Sequence, residues 1–471
     1  MTSRRRSAVV SWLALALAGC SLAPDYQPPP PPVAATAFKA IGAWKPAAPL
    51  DQIPRGAWWH IFADATLDRL EETLVRANPT LQAAVARHDQ AQAALQVARA
   101  DLFPTIAADG DSLHAQRSAT TEPALSPRSY KDNLLASSLS YEIDLWGRVR
   151  NGVLSQQYQA EASAADLASV MLSLEAELAA DYFSLKGLDA QQALLDQTVE
   201  AYRAAYDLTL RRHEGGAAAQ VDVDQAETLW NSARTEAADT RLSREQQENA
   251  IAILTGVTPE DLSLAPAPLD SRPLVVAPGL PSTLLERRPD VAAAERRMAA
   301  ANAAIGVAEA AFFPVFSLSG AAGIESAGTA QLIGLPSLMW AAGPAAAVTL
   351  FDAGRREGVS RQARATFDEA AADYRATVLV AYREVDDSLS ALHHLEEQAE
   401  SQDHAVEAAE RALMQARTRY TGGLVTYLEV VSAENTALAA RQTAINILIR
   451  RMMSSVQLVK ALGGGWQADN S

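Results

Sequence analysis

Proline is confined to part of this chain, and the confinement limits the possible folds more than any other feature of the sequence. All 23 prolines lie outside two long stretches, residues 128–258 and residues 345–471. A proline inside a helix removes a backbone hydrogen bond and clashes with the preceding turn, so long stretches without proline favour long helices. The pattern therefore predicts one long helical region in each half of the chain.

The two halves also match each other in sequence. Phe103-Pro104 recurs as Phe313-Pro314 at an offset of 210 residues, and Gly215-Gly216 recurs as Gly422-Gly423 at an offset of 207 residues. Two motifs repeated in the same order at nearly the same offset indicate a tandem duplication.

Each half shows the same order of elements: a helix that ends at Phe-Pro, two strands, and a long helix that reverses at Gly-Gly into a second helix. Alternation of apolar and polar residues predicts the strands, and apolar residues at helical spacing predict the helices. The expected strands are 105–114, 135–145, 314–324 and 338–350, and the expected helices are 67–102, 149–212, 222–254, 290–311, 355–420 and 428–462.

Four strands per chain are too few to close a barrel. An open sheet with one apolar face cannot sit in lipid, because its unpaired edge groups find no water there. Two, three or four copies would supply eight, twelve or sixteen strands, so we expect the chain to oligomerise. Since the other strand face is polar, the closed sheet is expected to surround a pore.

The N-terminus carries an export signal. Three arginines at 4–6 precede an apolar stretch from Ala8 to Ala18 that is too short to span a bilayer as a helix. The stretch ends in Leu17-Ala18-Gly19-Cys20, which resembles a bacterial lipobox, and Cys20 is the only cysteine of the chain. We expect cleavage after residue 19 and lipidation of Cys20. The alternative is a chance cysteine beside an ordinary signal peptide.

Charge and motif content exclude several classes of function. The 40 Lys and Arg against 56 Asp and Glu give a net charge of −16, which argues against nucleic-acid binding. No phosphate loop, Gly-x-Ser-x-Gly or His-Glu-x-x-His motif occurs, so we expect no enzyme and no catalytic residues. His393-His394 with Glu396 and Glu397 fits no common ligand spacing. We therefore expect no metal and no cofactor other than a covalent lipid on Cys20.

Several motifs occur together along the chain: Trp58-Trp59, residues 144–148 reading Asp-Leu-Trp-Gly-Arg, residues 284–291 reading Leu-Leu-Glu-Arg-Arg-Pro-Asp-Val, residues 419–423 reading Arg-Tyr-Thr-Gly-Gly, and the paired Phe-Pro steps. In this combination the chain resembles the TolC-like outer-membrane factors, specifically their NodT-type lipoprotein branch. The resemblance covers nearly the whole chain from Cys20 to about Gly465.

The resemblance implies an α+β membrane protein of the outer membrane with a periplasmic extension. It implies a homotrimer with a twelve-stranded transmembrane β-barrel continued by a twelve-helix α-barrel. The expected partners are a periplasmic adaptor and an inner-membrane transporter, with a proton-driven RND type favoured, in a tripartite system that exports drugs or other small molecules. Two alternatives stay open: the exit duct of an ABC-transporter-linked secretion system, and a periplasmic coiled-coil scaffold.

The expected segments follow from the duplication and the resemblance together. They are a signal peptide at 1–19, a lipidated tether and equatorial segment at 20–60, a first repeat at 61–256, an equatorial connection at 257–288, a second repeat at 289–462 and a C-terminal tail at 463–471.

The resemblance also implies a gate where the long helices reverse. Asp222 and Tyr420 fall where the family keeps latch residues, and Glu429 falls where a carboxylate ring narrows the mouth. The alternatives are a helix-start role for Asp222 and ordinary packing for Tyr420. Val425 and Ser432 stand where relatives often carry a charged latch partner and a second ring carboxylate.

Small residues at the two reversals would let another helical hairpin approach closely. The residues expected to dock the adaptor are Gly215, Gly216, Gly422, Gly423 and Leu424. The alternative interpretation of the glycines is turn chemistry, and both interpretations can hold together.

Overall fold

The computed structural model describes residues 21–27, 56–120, 128–270, 273, 288–328 and 332–464. The expected signal peptide, Cys20, most of the tether, much of the connection and residues 465–471 lie outside these described residues. The described chain divides into two compact units. One contains the strands and the described residues within 21–27, 87–164 and 293–374, and is called here the sheet unit. The other contains the described residues within 56–86, 165–292 and 375–464, and is called the helical unit.

The sheet unit contains four strands in one antiparallel sheet. They run in the order β1, β2, β3, β4, so the hairpin of the first repeat pairs directly with the hairpin of the second. The bounds are β1 Thr105–Gln116, β2 Ser129–Ile143, β3 Val315–Ser326 and β4 Leu338–Ala347. The prediction that all four segments lie side by side in one sheet is confirmed.

The strand bounds differ from the expected ones by more than two residues at two places. β2 begins six residues earlier than expected, because the polar residues 131–133 concealed the alternation. β4 ends at Ala347, so Val348 and Leu350 lie beyond it. Asp352 starts the following helix there, since its carboxylate accepts backbone hydrogen bonds from Gly354 and Arg356.

Seven helices account for most of the remaining described residues. They are α1 Ala65–Ala77, α2 Pro79–Ala100, α3 Arg148–Glu214, α4 Gln220–Leu254, α5 Pro289–Ala310, α6 Arg355–Thr421 and α7 Tyr427–Ala461. The two longest, α3 and α6, each contain 67 residues, and the predicted pair of long helices is confirmed. Among the described residues, no helix is both long enough and apolar enough to cross a membrane.

The expectation of one helix over 67–102 is wrong, because the chain breaks at Asn78. Proline at position 79 disfavours helical geometry in the residue before it, and Asn78 is extended with ψ 121°. The Asn78 side chain bonds to two helix ends: its Nδ2 donates to the carbonyl of Leu254 at the end of α4 (2.8 Å), and its Oδ1 accepts from the amide of Leu81 in the first turn of α2 (2.9 Å).

The core of the helical unit forms where α1 packs on a short 3₁₀ helix, Trp58–Phe62, and on α3, α4 and α7. Leu67, Leu70 and Leu74 recur at helical spacing and bury one face of α1. The large buried partners from the other elements include Trp58, Phe62, Phe183, Ile251, Met452 and Val456.

Candidate functional site

The register gives the sheet one apolar face. It places Ile106, Leu135, Leu318, Leu338 and Trp340 on the same side, since residues paired across neighbouring strands share a face. Their exposed fractions are 71%, 53%, 40%, 61% and 75%. A single chain therefore presents a broad apolar surface, which soluble proteins rarely leave uncovered.

The opposite face of the sheet is polar and acidic. The register places these carboxylates on it: Asp109, Asp111, Asp132, Glu142 and Glu325. Ser138 donates to Asp109 across this face (2.8 Å). The outer strands β1 and β4 each keep one edge without a neighbour among the described residues. The sheet is thus two-faced and incomplete in one chain.

The segment that follows Cys20 is held against the start of α3 and against α5. Ser21 Oγ donates to Asn151 Oδ1 (3.0 Å), Asn302 Nδ2 donates to the carbonyl of Pro24 (2.8 Å), and the Tyr26 hydroxyl donates to Glu295 Oε1 (2.5 Å). Burial and the neighbouring Glu295 carboxylate raise the pKa of Tyr26 above its usual range. Residues 21–27 are therefore anchored to the sheet unit at three points. Cys20 itself lies outside the described residues.

The two predicted helix reversals are tight turns, defined here as the first hairpin turn (215–219) and the second hairpin turn (422–426). Gly216 and Gly423 have φ of +75° and +74°, a backbone region that disfavours residues with a Cβ. The two long helices end in equivalent backbone hydrogen bonds: the amide of Ala217 donates to the carbonyl of Arg212, and the amide of Leu424 donates to the carbonyl of Arg419. Turn chemistry alone therefore accounts for Gly216 and Gly423.

Gly215 and Gly422 have no such requirement. A Cβ at either position would meet its nearest backbone oxygen at 3.5 Å, an ordinary contact. Leu424 in the second turn is 74% exposed. Small residues and one exposed leucine are compatible with a docking surface, and the docking role stays a prediction.

The structure places Asp222 and Tyr420 in separate local roles. Asp222 lies in the first turn of α4, where its Oδ2 accepts from the amide of Ala219 (3.2 Å), the geometry expected of a helix start. Tyr420 is 9% exposed and packs on Tyr427, with 5.3 Å between ring centres. Its buried hydroxyl has no hydrogen-bond partner among the described residues. No bond joins the two within this chain, and the latch role of each stays a prediction.

Glu429 is half-exposed near the start of α7. Its carboxylate lies 3.5 Å from the Arg419 guanidinium, so the acidic group has a basic neighbour in its own chain. Val425 packs against the cluster of Tyr420, Tyr427 and Val430. Apolar packing therefore occupies the position at which the family resemblance implied a charged latch partner. The ring role of Glu429 stays a prediction.

Sequence reasoning missed a buried glutamate, paired with an arginine, one helical turn beyond this cluster. Glu434 is 3% exposed, and one of its oxygens accepts from Arg417 (2.9 Å), which ties α7 to α6. Burial raises the pKa of the Glu434 carboxyl, and the charge of Arg417 opposes that rise. Its repeat equivalent, Glu227, is exposed, so the duplication itself gave no signal of burial.

His393, His394 and Glu397 lie close together on α6. Their candidate ligand atoms are within 4.8 Å of one another, but all three residues are exposed. The structure thus gathers these side chains without enclosing them, and the absence of a bound metal stays a prediction.

Comparison with known proteins decides the family. A family model described as outer membrane efflux protein matches residues 70–257 and 280–464. The chain belongs to the outer membrane efflux protein family. The matched ranges follow the two sequence repeats, and the suspected resemblance to outer-membrane factors is confirmed.

Individual relatives match over almost their full length. The toluene efflux pump outer membrane protein TtgC of Pseudomonas putida is 34% identical over 462 residues, which cover 96% of this chain and 94% of that protein. The cation efflux system protein CusC of Escherichia coli O157:H7 is 30% identical, with 97% and 98% covered. The solved structure of the outer-membrane channel OprN superposes with a TM-score of 0.84 at 29% identity, covering 95% of this chain and all of that one.

These similarities confirm the fold class, the outer-membrane location and the role in efflux. The chain is an outer-membrane efflux component in which long helical hairpins accompany a four-stranded sheet.

Proposed function

We propose that three copies of this chain form the outer-membrane channel of a tripartite efflux system. The partners would be a periplasmic adaptor and a proton-driven inner-membrane transporter of the RND type. The observation that carries the proposal is the sheet with an exposed apolar face, an acidic face and two open edges. Three copies supply twelve strands, and closing them would turn the apolar face to lipid and the acidic face to water. A coiled-coil scaffold would leave this sheet without a use.

The cargo would be chosen by the pump. A water-filled channel selects weakly, and the relatives named above are described as serving toluene and cation efflux respectively. We expect a preference for cations in passive conduction, because the carboxylates on the polar face would line the pore.

The channel proposal is tested with the full-length protein purified in detergent and reconstituted in planar bilayers. We expect a trimer that conducts ions, with a reversal potential under a salt gradient that favours cations. A protein that is monomeric and water-soluble without detergent would contradict the proposal. Co-purification with an RND pump and its adaptor is expected, and an ABC transporter in their place would favour the secretion duct.

We further propose that Cys20 carries the lipid. Cys20 is joined directly to Ser21, which is bonded to Asn151 four residues into α3, soon after strand β2 ends. An acyl chain on Cys20 would therefore start close to where the sheet ends, as an anchor in the same membrane would require.

The substitution Cys20→Ser tests the lipid. We expect acylation to be lost while the protein still inserts as a trimer, because the sheet provides most of the membrane-facing area. Mass spectrometry of the mature N-terminus and outer-membrane fractionation measure the two effects. A soluble, folded Cys20→Ser protein would show that the lipid, rather than the sheet, holds the chain in the membrane.

A further inference from the structure

Two arginines hold the same place in the two sequence repeats. Arg212 and Arg419 are 207 residues apart, the offset that also relates the two Gly-Gly pairs. Each lies in the last turn of its long helix, three residues before the first glycine of the hairpin turn. In a symmetrical duplication the two side chains would make the same contact.

The structure gives them different contacts. Arg419 stays within its own hairpin, where its guanidinium lies 3.5 Å from the Glu429 carboxylate. Arg212 instead crosses from α3 to the end of α6. Its Nη1 donates to the carbonyl of Tyr420 (3.4 Å), and its Nη2 donates to the carbonyl of Thr421 (3.3 Å).

The Arg212 guanidinium also lies over an aromatic ring. Its central carbon is 4.7 Å from the centre of the Tyr420 ring, a distance at which a cation is attracted to the ring face. Tyr427 and Val430, which are both buried, pack in the same cluster as the Tyr420 ring. One side chain from α3 thus engages the ring and two backbone oxygens of α6.

The end of α6 is a favourable place for this charge. The last carbonyls of a helix carry partial negative charge, and a cation at that end is stabilised. A planar guanidinium can donate to two oxygens and stack at the same time, whereas a lysine ammonium offers no flat face. The contact therefore uses properties that only arginine combines.

We propose that Arg212 is the positioning residue that ties the first hairpin to the second where their long helices end. The inference rests on the proposed channel function. Spreading the two hairpins apart at their turns would break both carbonyl contacts and the ring contact together. Arg212 thus does within one chain what the family resemblance assigned to Asp222, whose carboxylate is already used at the start of α4.

The test compares Arg212→Gln with the matched control Arg211→Gln, whose side chain is exposed on the same helical turn. Both variants lose one positive charge at the same end of α3. In planar-bilayer recordings of the full-length trimer, we expect Arg212→Gln to raise the mean conductance by about threefold and Arg211→Gln to leave it unchanged. The melting temperature and trimer content are expected to stay at wild-type values, which separates positioning from general stability.

Arg212→Lys provides a second variant. It keeps the charge but loses the two-oxygen fork, so its conductance is expected to lie between those of the wild type and Arg212→Gln. Equal conductance in the wild type and Arg212→Gln, or an equal rise in Arg211→Gln, would overturn the role of Arg212 while leaving the channel intact. A wild type and an Arg212→Gln variant that both fail to conduct would overturn the channel proposal itself.

Discussion

Leu135→Arg is expected to keep the protein from accumulating as a trimer in the outer membrane, whereas Leu134→Arg is expected to leave the trimer in place. The two leucines are neighbours in β2 and point to opposite faces of the sheet. Leu135 lies on the exposed apolar face. Leu134 is paired with Asp111 on one side and with Glu325 on the other.

The free-energy cost of an arginine differs between the two positions because position 135 would face lipid and position 134 would face water. An arginine facing the middle of a bilayer costs about 2–4 kcal/mol in each chain, and all three chains of the proposed trimer would carry it. An arginine at position 134 would face two carboxylates and water. Outer-membrane fractionation and unheated gel electrophoresis measure the trimer, and the reversal potential of Leu134→Arg is expected to shift away from cation preference. Equal insertion of both variants would mean that the apolar face does not meet lipid.

The fold was largely predictable because its signals are local and repeated. Proline exclusion marked α3 and α6, the Gly-Gly pairs marked both hairpin turns, and alternation marked four strands. The same local reading failed at Asn78-Pro79, where α1 and α2 divide. Alanine-rich sequence on both sides favoured one helix, and one of the two side-chain bonds of Asn78 is made to Leu254, which is 176 positions away in sequence.

The candidate gate was less predictable, because its contacts join positions that are distant in sequence. Asp222 and Tyr420 were found by motif position, yet within one chain each has a local role. Arg212 was overlooked because its repeat equivalent Arg419 looks the same in sequence. Only the three-dimensional structure shows that one of these arginines stays in its hairpin while the other crosses.

Buried ionisable side chains were the least predictable feature, as Glu71 illustrates. Glu71 follows Leu70 on α1 and is followed by another glutamate, so the sequence reads as an ordinary exposed pair. The structure buries Glu71 completely and leaves Glu72 exposed. Neither carboxylate oxygen of Glu71 has a hydrogen-bond partner among the described residues.

Burial, and to a smaller extent the charges of Glu175 and Asp68, raises the pKa of Glu71 to about 10. The group is therefore protonated in the folded protein at neutral pH, whereas in the unfolded chain it would be ionised above its ordinary value near 4.5. Between these two values the folded state holds one more proton than the unfolded state. The free energy of unfolding therefore keeps the whole favourable contribution of this group below pH 4.5. It then falls by roughly 1.4 kcal/mol per pH unit as the pH rises toward 10.

Glu71→Gln is expected to remove this loss of stability with rising pH, because a neutral amide of similar shape has no proton to lose. At pH 7 the free energy of unfolding is expected to rise by about 3 kcal/mol, and at pH 5 the gain is expected to be much smaller. Thermal unfolding of the detergent-solubilised protein from pH 5 to pH 9 measures both. Glu72→Gln is the matched control, since it removes the same charge from the exposed side of α1.

The direction of the pH dependence is the decisive observation for Glu71. If the free energy of unfolding of Glu71→Gln exceeds that of the wild type by an amount that grows with pH, the wild-type carboxyl must stay protonated in the folded protein. A stabilisation that is the same at every pH would instead come from removing repulsion between Glu71 and acids that are ionised throughout. If Glu71→Gln destabilises the protein at pH 8, the carboxyl is ionised in the folded protein, and the raised pKa inferred from its burial would be contradicted.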